Sequence, residues 1–157
     1  MKKAIKLTAV VLSVILLASL LTSCKKNPSD TAAFKQLAEK SGFEIHDVTQ
    51  QYADAPQIKE ATVVAPSSRE FQIEFYVITD KDSAKQLYLA QSEVVDGYKD
   101  SNFIGTSSNG QNYARRTVVT NGKYLMVSYI ENTMVYVPPT DKTNKDAIEK
   151  FLKNFGY

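Results

Sequence analysis

The chain has 157 residues, with one cysteine, one histidine and no tryptophan. A lone cysteine allows no internal disulfide, so a folded domain must be held by packing. The only histidine, His46, rules out a histidine-rich metal site, and a catalytic triad would have to use that one ring. His46 falls in an alternating strand beside Glu44 and Ile45, with no Gly-x-Ser-x-Gly motif or cysteine nucleophile to accompany it. It reads as a solvent-facing strand residue. No glycine-rich phosphate loop follows a strand, and no ligand set for a cofactor is present. Asp80 and Asp82 lack the further acids and the glycine of a calcium loop, so capping is the better reading for them.

Charge of one sign is also missing. The chain carries 19 basic and 17 acidic residues. Three of the lysines, Lys2, Lys3 and Lys6, precede the apolar run Leu7 to Leu21, and residues 1–23 contain no acid. Without them 16 basic residues face 17 acidic ones, a side-chain charge of −1. A near-neutral domain has no field to gather phosphates, which argues against nucleic-acid binding.

What is present at the start of the chain is a three-part export pattern: a positive stretch, an uncharged apolar stretch and small residues at the exit. The apolar run covers 15 residues, whereas a helix needs about 20 to cross the hydrocarbon core, so removal is expected rather than a permanent span. The only cysteine stands at the end of this segment, in Leu21-Thr22-Ser23-Cys24. An aliphatic residue and two small ones ahead of a thiol resemble the lipobox of bacterial prolipoproteins. The resemblance covers residues 1–24. It implies a diacylglyceryl thioether on Cys24, cleavage between Ser23 and Cys24 by a dedicated signal peptidase, and possible acylation of the new amine. The implied partners are a membrane, through the lipid on Cys24, and the processing enzymes. The location it implies is the extracytoplasmic face of the cell membrane. Two or three acyl chains, at about 0.8 kcal/mol per buried methylene, would anchor stably.

Three segments are expected: the signal peptide (1–23), the lipidated cysteine with a polar tether (24–30), and one domain (31–157). Lys25-Lys26-Asn27-Pro28-Ser29-Asp30 reads as a spacer, able to extend at most about 20 Å. Its two lysines could add about 1 kcal/mol each beside anionic lipid, or simply keep the tether solvated.

Within the domain, Phe34, Leu37, Ala38 and Ser41 share a helical face that starts at Asp30, and Gly42 stops it. Phe43 to Val48 and Gln57 to Ala65 read as strands, with Thr49 to Pro56 as loop. In Arg69 to Thr79 the residues Phe71, Ile73, Phe75 and Val77 alternate with Gln72, Glu74 and Tyr76, so one core face is expected. The main helix, 83–99, presents Ala84, Leu87, Tyr88, Gln91, Val94, Val95 and Tyr98. Ser101 to Gly110 reads as a mobile loop.

Asn121-Gly122 is a strong hairpin signal, expected to form a two-residue primed turn with both residues at positive φ. It pairs Val119 with Tyr124, Thr117 with Met126 and Tyr113 with Ile130, and on the other face Val118 with Leu125, Arg116 with Val127 and Ala114 with Tyr129. Neither face is plainly polar. A short strand, Thr133 to Val137, ends at Pro138-Pro139, and Lys145 to Asn154 forms a last helix with Ile148, Phe151, Leu152 and Phe155 inward. The expected fold is α+β: a mostly antiparallel, twisted sheet of five to six strands with about three helices. The segments Gly122 to Ser128, Glu131 to Tyr136 and Asn154-Phe155-Gly156-Tyr157 are similar to small, uncharacterised lipoproteins of Gram-positive bacteria, a resemblance that implies no known activity.

Arg115 and Arg116 are adjacent, so on a strand they face opposite ways, as rim residues. Tyr113, Tyr124, Tyr129 and Tyr136 all fall on the last strands. Their rings could form a ligand or partner surface suited to proteins or sugars. Alternatively helices cover both faces and the rings are core, which the frequency of tyrosine in small β-rich cores favours. The functional expectation is a non-enzymatic binding or interaction module at the membrane. Its alternatives are an envelope hydrolase working through carboxylates and a structural component of an envelope complex.

Overall fold

A computed structural model describes residues 25–157. Among these residues the chain forms helix α1 (Thr31–Lys40), strands β1 (Phe43–Asp47), β2 (Ile58–Pro66) and β3 (Ile73–Ile78), helix α2 (Lys81–Asp96), strands β4 (Ile104–Asn109), β5 (Tyr113–Thr120), β6 (Lys123–Ile130) and β7 (Thr133–Asp141), and helix α3 (Lys145–Phe155). The fold is α+β, with seven strands in one antiparallel sheet of order β1-β2-β3-β7-β6-β5-β4.

Both faces of the sheet are covered. On one, Phe34 and Ala38 of α1 and Ile148, Phe151 and Leu152 of α3 pack with Ile73, Phe75, Tyr124, Met126 and Val135. On the other, Ala84, Tyr88 and Val95 of α2 pack with Tyr76, Ile78, Val118, Leu125 and Val127. Strand β6 is the extreme case: every residue from Tyr124 to Ile130 is buried and only Lys123 is exposed. The expectation of a single core face on β3 is therefore corrected. Tyr76 and Ile78 are buried in the second cluster just as Ile73 and Phe75 are in the first.

Helix starts follow the sequence. Asp30 accepts the Ala33 N–H at 2.7 Å ahead of α1, and Asp80 accepts the Ser83 N–H at 2.8 Å ahead of α2. Gly42, at φ 71°, ends the first helix in a conformation that other residues rarely adopt. Helix α2 ends at Asp96, short of the expected residue 99, and its inward stripe is narrower than the spacing suggests. Val94 is 49% exposed, and Tyr98, past the helix end, is 40% exposed.

The β5–β6 register matches the expected pairs, including Val119 with Tyr124 and Ala114 with Tyr129. The turn itself differs, because Gly122 has φ 79° while Asn121 is not at positive φ, so it is not the primed form. The larger departures are two. The Ser101 to Gly110 stretch, expected as a loop, contributes the seventh strand, pairing from Ile104 with Val119 to Asn109 with Ala114. Strand β7 does not stop at Pro138-Pro139 but runs to Asp141. Its pairing with β3 ends at Tyr136, and the pairing with β6 is irregular between Tyr124 and Met126. The two prolines thus sit where one side is unpaired and the other is bulged, a position that tolerates a missing N–H.

Adjacent arginines hold a helix to each face. Arg115 Nη2 lies 2.6 Å from both carboxylate oxygens of Glu149 on α3. Arg116 Nε lies 2.7 Å from Asp96 Oδ1 on α2. Partial burial opposes ionisation of Asp96, but hydrogen bonds from Arg116 and Lys99 outweigh it and hold the carboxyl below its usual range. Tyr124, fully buried, donates its hydroxyl to Glu149 Oε1 at 2.6 Å. Burial foremost, and then the Glu149 carboxylate, push the phenol far above its ordinary pKa, so it remains a donor.

Tyr124→Phe should lower stability by about 1 kcal/mol, a hydrogen bond to a charged acceptor discounted because the Glu149 side chain is 33% exposed. Urea unfolding measures this, and an unchanged midpoint would show the hydroxyl to be idle. A second expectation concerns acid. Asp80 is held low by the Ser83 N–H and hydroxyl, Asp47 by the Thr49 hydroxyl and N–H, and Asp141 by those of Thr143. Carboxyls depressed in the fold contribute stability that is complete above the unfolded pKa of about 3.9 and is lost as pH falls through their folded values. The urea midpoint should accordingly fall below about pH 4, and less steeply in Asp80→Asn.

Candidate functional site

The structure separates the four tyrosines instead of gathering them. Tyr113 and Tyr124 lie on the α1/α3 face, and Tyr129 and Tyr136 on the α2 face. Tyr124 is fully buried and Tyr129 is 8% exposed, while Tyr113 and Tyr136 are half-buried. Burial raises the pKa of both Tyr129 and Tyr136. A single tyrosine-bearing contact face is not formed, because strands with apolar residues on both sides turn alternate rings to opposite layers. His46 is exposed, 3.7 Å from Glu44 Oε2 on β1. Ser23 and Cys24 lie outside the described residues.

Residues 25–30, expected as an extended spacer, are instead strapped to the domain. The Lys26 N–H donates to Asn112 Oδ1 at 3.1 Å, and Asn112 Nδ2 donates to the Lys26 carbonyl at 2.6 Å. One side-chain amide thereby satisfies both backbone groups of one residue, as a neighbouring strand would. Asn112 is 5% exposed and held in its turn by Glu131: its Nδ2 also donates to Glu131 Oε1 at 2.8 Å, and its carbonyl accepts the Glu131 N–H at 2.8 Å. Glu131 adopts φ 52°, a left-handed conformation that costs a non-glycine residue about 1 kcal/mol or more. Lys25 Nζ is 3.9 Å from Glu131 Oε1, and the Lys26 ammonium lies 5.0 Å from the centre of the Tyr113 ring. Burial, and next the charge of Arg115, lower the Lys26 pKa. Ser29 Oγ then donates to the Phe155 carbonyl at 2.9 Å, at the end of α3.

Beside this corner runs a groove between α2 and the β4–β5 hairpin. It encloses about 360 Å³ and is walled by Lys85, Tyr88 and Leu89, with Ser107, Asn109 and Ala114 opposite. The Tyr88 and Tyr129 rings stand 5.1 Å apart, tilted at 53°, and Leu89 is 52% exposed. A smaller, more enclosed cavity of about 90 Å³ continues it toward Asn112, bringing Asp82 and Glu131 together with Lys81, Lys85 and Tyr129. Its volume is well below the roughly 300 Å³ at which small-molecule sites begin. Glu131 there is already engaged by Asn112 and Lys25. The opposite end of the sheet has a larger depression of about 740 Å³, but turn backbone, Pro138 and Pro139 bound it, and its one aromatic ring, Phe71, belongs to the core. The α2 groove is the better candidate because it offers an exposed leucine, an ammonium, hydroxyls and amides to one ligand.

Among the described residues no group of three or more His, Cys, Asp and Glu side chains could hold a metal ion. The sequence reading missed Asn112, Glu131 and Lys85. Asn112 carries no local signal, since its partner Lys26 is 86 residues away. No family model, curated protein or solved structure matches the chain.

Asn112→Ala should free the strap while leaving the sheet folded. Trypsin cleavage after Lys26, followed by intact mass, should speed up at least about tenfold, since local opening no longer breaks the paired bonds. Equal rates in the two proteins would show that Asn112 does not hold the segment.

Proposed function

We propose that the chain is a bacterial prolipoprotein, cut between Ser23 and Cys24 and anchored at the extracytoplasmic face by lipid on the Cys24 sulfur. Its domain acts as a non-enzymatic binding module. The chemistry of the anchor is that of the Leu21-Thr22-Ser23-Cys24 box behind a basic and apolar leader. Among the described residues no helix is long and apolar enough to cross a membrane, so the lipid is the attachment this reading calls for.

The observation that carries the reading is the strap. Consecutive Cα atoms lie about 3.8 Å apart, so with Lys26 clamped by Asn112 the acylated residue is one peptide away from Lys25 at the edge of the fold. The domain then rests against the headgroups in a defined attitude, rather than swinging on a chain of about 20 Å. An anchor coupled rigidly to a domain suits a protein that presents a surface. That surface is the α2 groove: the Lys85 ammonium, the exposed Leu89 and the hydroxyl and amide groups of Ser107 and Asn109, over the buried Tyr88–Tyr129 pair, recognise a polar ligand.

Intact mass of protein extracted from membranes tests the anchor. The expected species begins at residue 24 and carries the added diacylglyceryl mass, whereas Cys24→Ala stays uncut. Recovery of the wild-type chain in the aqueous phase, with its thiol free and residues 1–23 attached, would overturn the reading.

A further inference from the structure

We propose that the β4 edge pairs antiparallel with the β4 edge of a second copy of this chain, joining two sheets into one and walling the α2 groove on both sides. The two outer strands of the sheet are built differently. Strand β1 carries Glu44, His46 and Asp47 in five residues, with Glu44 engaged by Arg69 and Asp47 by Lys35. Charges of this kind are how soluble proteins keep a sheet edge from pairing further. Strand β4 has no such guard. All six of its residues are exposed, and it lies in regular register on β5. From Ser101 to Ala114, 14 residues pass without a charge or a proline. An open, regular, unguarded edge is a template for another strand.

The charge pattern selects the occupant. An uncharged edge offers nothing to steer in an oppositely charged partner, and it meets an identical edge without like-charge repulsion. Antiparallel self-pairing puts the two-fold axis perpendicular to the sheet, so both α2 helices fall on the same side. In one copy the groove runs between Lys85 and Leu89 of α2 and Ser107 and Asn109 of the edge strand β4. The second copy extends the groove beyond that edge and bounds it with its own α2, so the binding site of the proposed module is completed by the pair. The register also covers apolar surface. The Phe103 and Ile104 end of one strand, 41% and 67% exposed, lies beside the Asn109 and Gly110 end of the other. Because β1 is guarded, assembly closes at two instead of growing into a fibre.

The pairing rests on the sheet and not on the lipid, so Cys24→Ala reports on anchoring separately. The test uses the full chain at its native level in intact cells, since a single strand pair is smaller than a standard interface of about 1,600 Å². Thr106→Cys and Ser107→Cys are made singly and oxidised mildly. Opposed residues of an antiparallel pair have Cα atoms about 4.5–5.5 Å apart, within disulfide reach. At least one of the two variants should move more than half the chain to twice its mass, while His46→Cys on β1 and the wild type should not. Thr106→Lys and Ser108→Lys, made together in the Ser107→Cys chain, should cut that product at least tenfold, with the fold checked by circular dichroism. A doubled species no stronger than that of His46→Cys would overturn the proposal. So would a cross-link to a different protein.

Discussion

The structure depends on one strand having nowhere to face water. From Tyr124 to Ile130 every side chain of β6 is buried, alternately toward α3 and toward α2. A strand buried on both sides forces a layer of helix onto each face of the sheet. The neighbouring strand shows how those layers are held, since Arg115 and Arg116, consecutive in sequence, reach opposite ways to Glu149 and Asp96. The buried Tyr124 hydroxyl joins the first of these pairs, tying the apolar layer to the ionic one.

The sheet's centre was legible because its signals are local. Asn121-Gly122 and the flanking β-branched and aromatic residues set the β5–β6 register pair by pair, although the turn closes with only Gly122 at positive φ. The last helix was equally plain, with Ile148, Phe151, Leu152 and Phe155 buried. Strand β4 was not legible, for a physical reason. Neither of its faces is covered, so Ile104-Gly105-Thr106-Ser107-Ser108-Asn109 has no alternation to display, and only pairing with β5 makes it a strand. The prolines of β7 misled in the opposite direction. They mark the end of a strand unless a bulge and an unpaired flank excuse the lost donors, and tertiary structure alone supplies both.

The candidate site was the least readable part. Four tyrosines close in sequence left open either one contact surface or, the favoured reading, rings in a core covered on both faces, and the twofold period of a strand distributes them between two layers. The features that replace them depend on contacts distant in sequence: Asn112 with Lys26 and Glu131, and α2 with the β4–β5 hairpin. Together they give the domain a tethered corner, a groove beside it and two unlike edges. The guarded β1 edge and the bare β4 edge make the molecule directional, and the strap fixes which corner leads back to residue 24.

Native-state hydrogen exchange tests the dependence on β6 most directly. The account predicts that the amides of Met126, Val127 and Ser128 exchange only through global unfolding, with a free energy equal to that from denaturant titration. Were these amides to exchange as fast as those in α1, with stability concentrated elsewhere, the doubly covered strand could not be the element around which the fold is built.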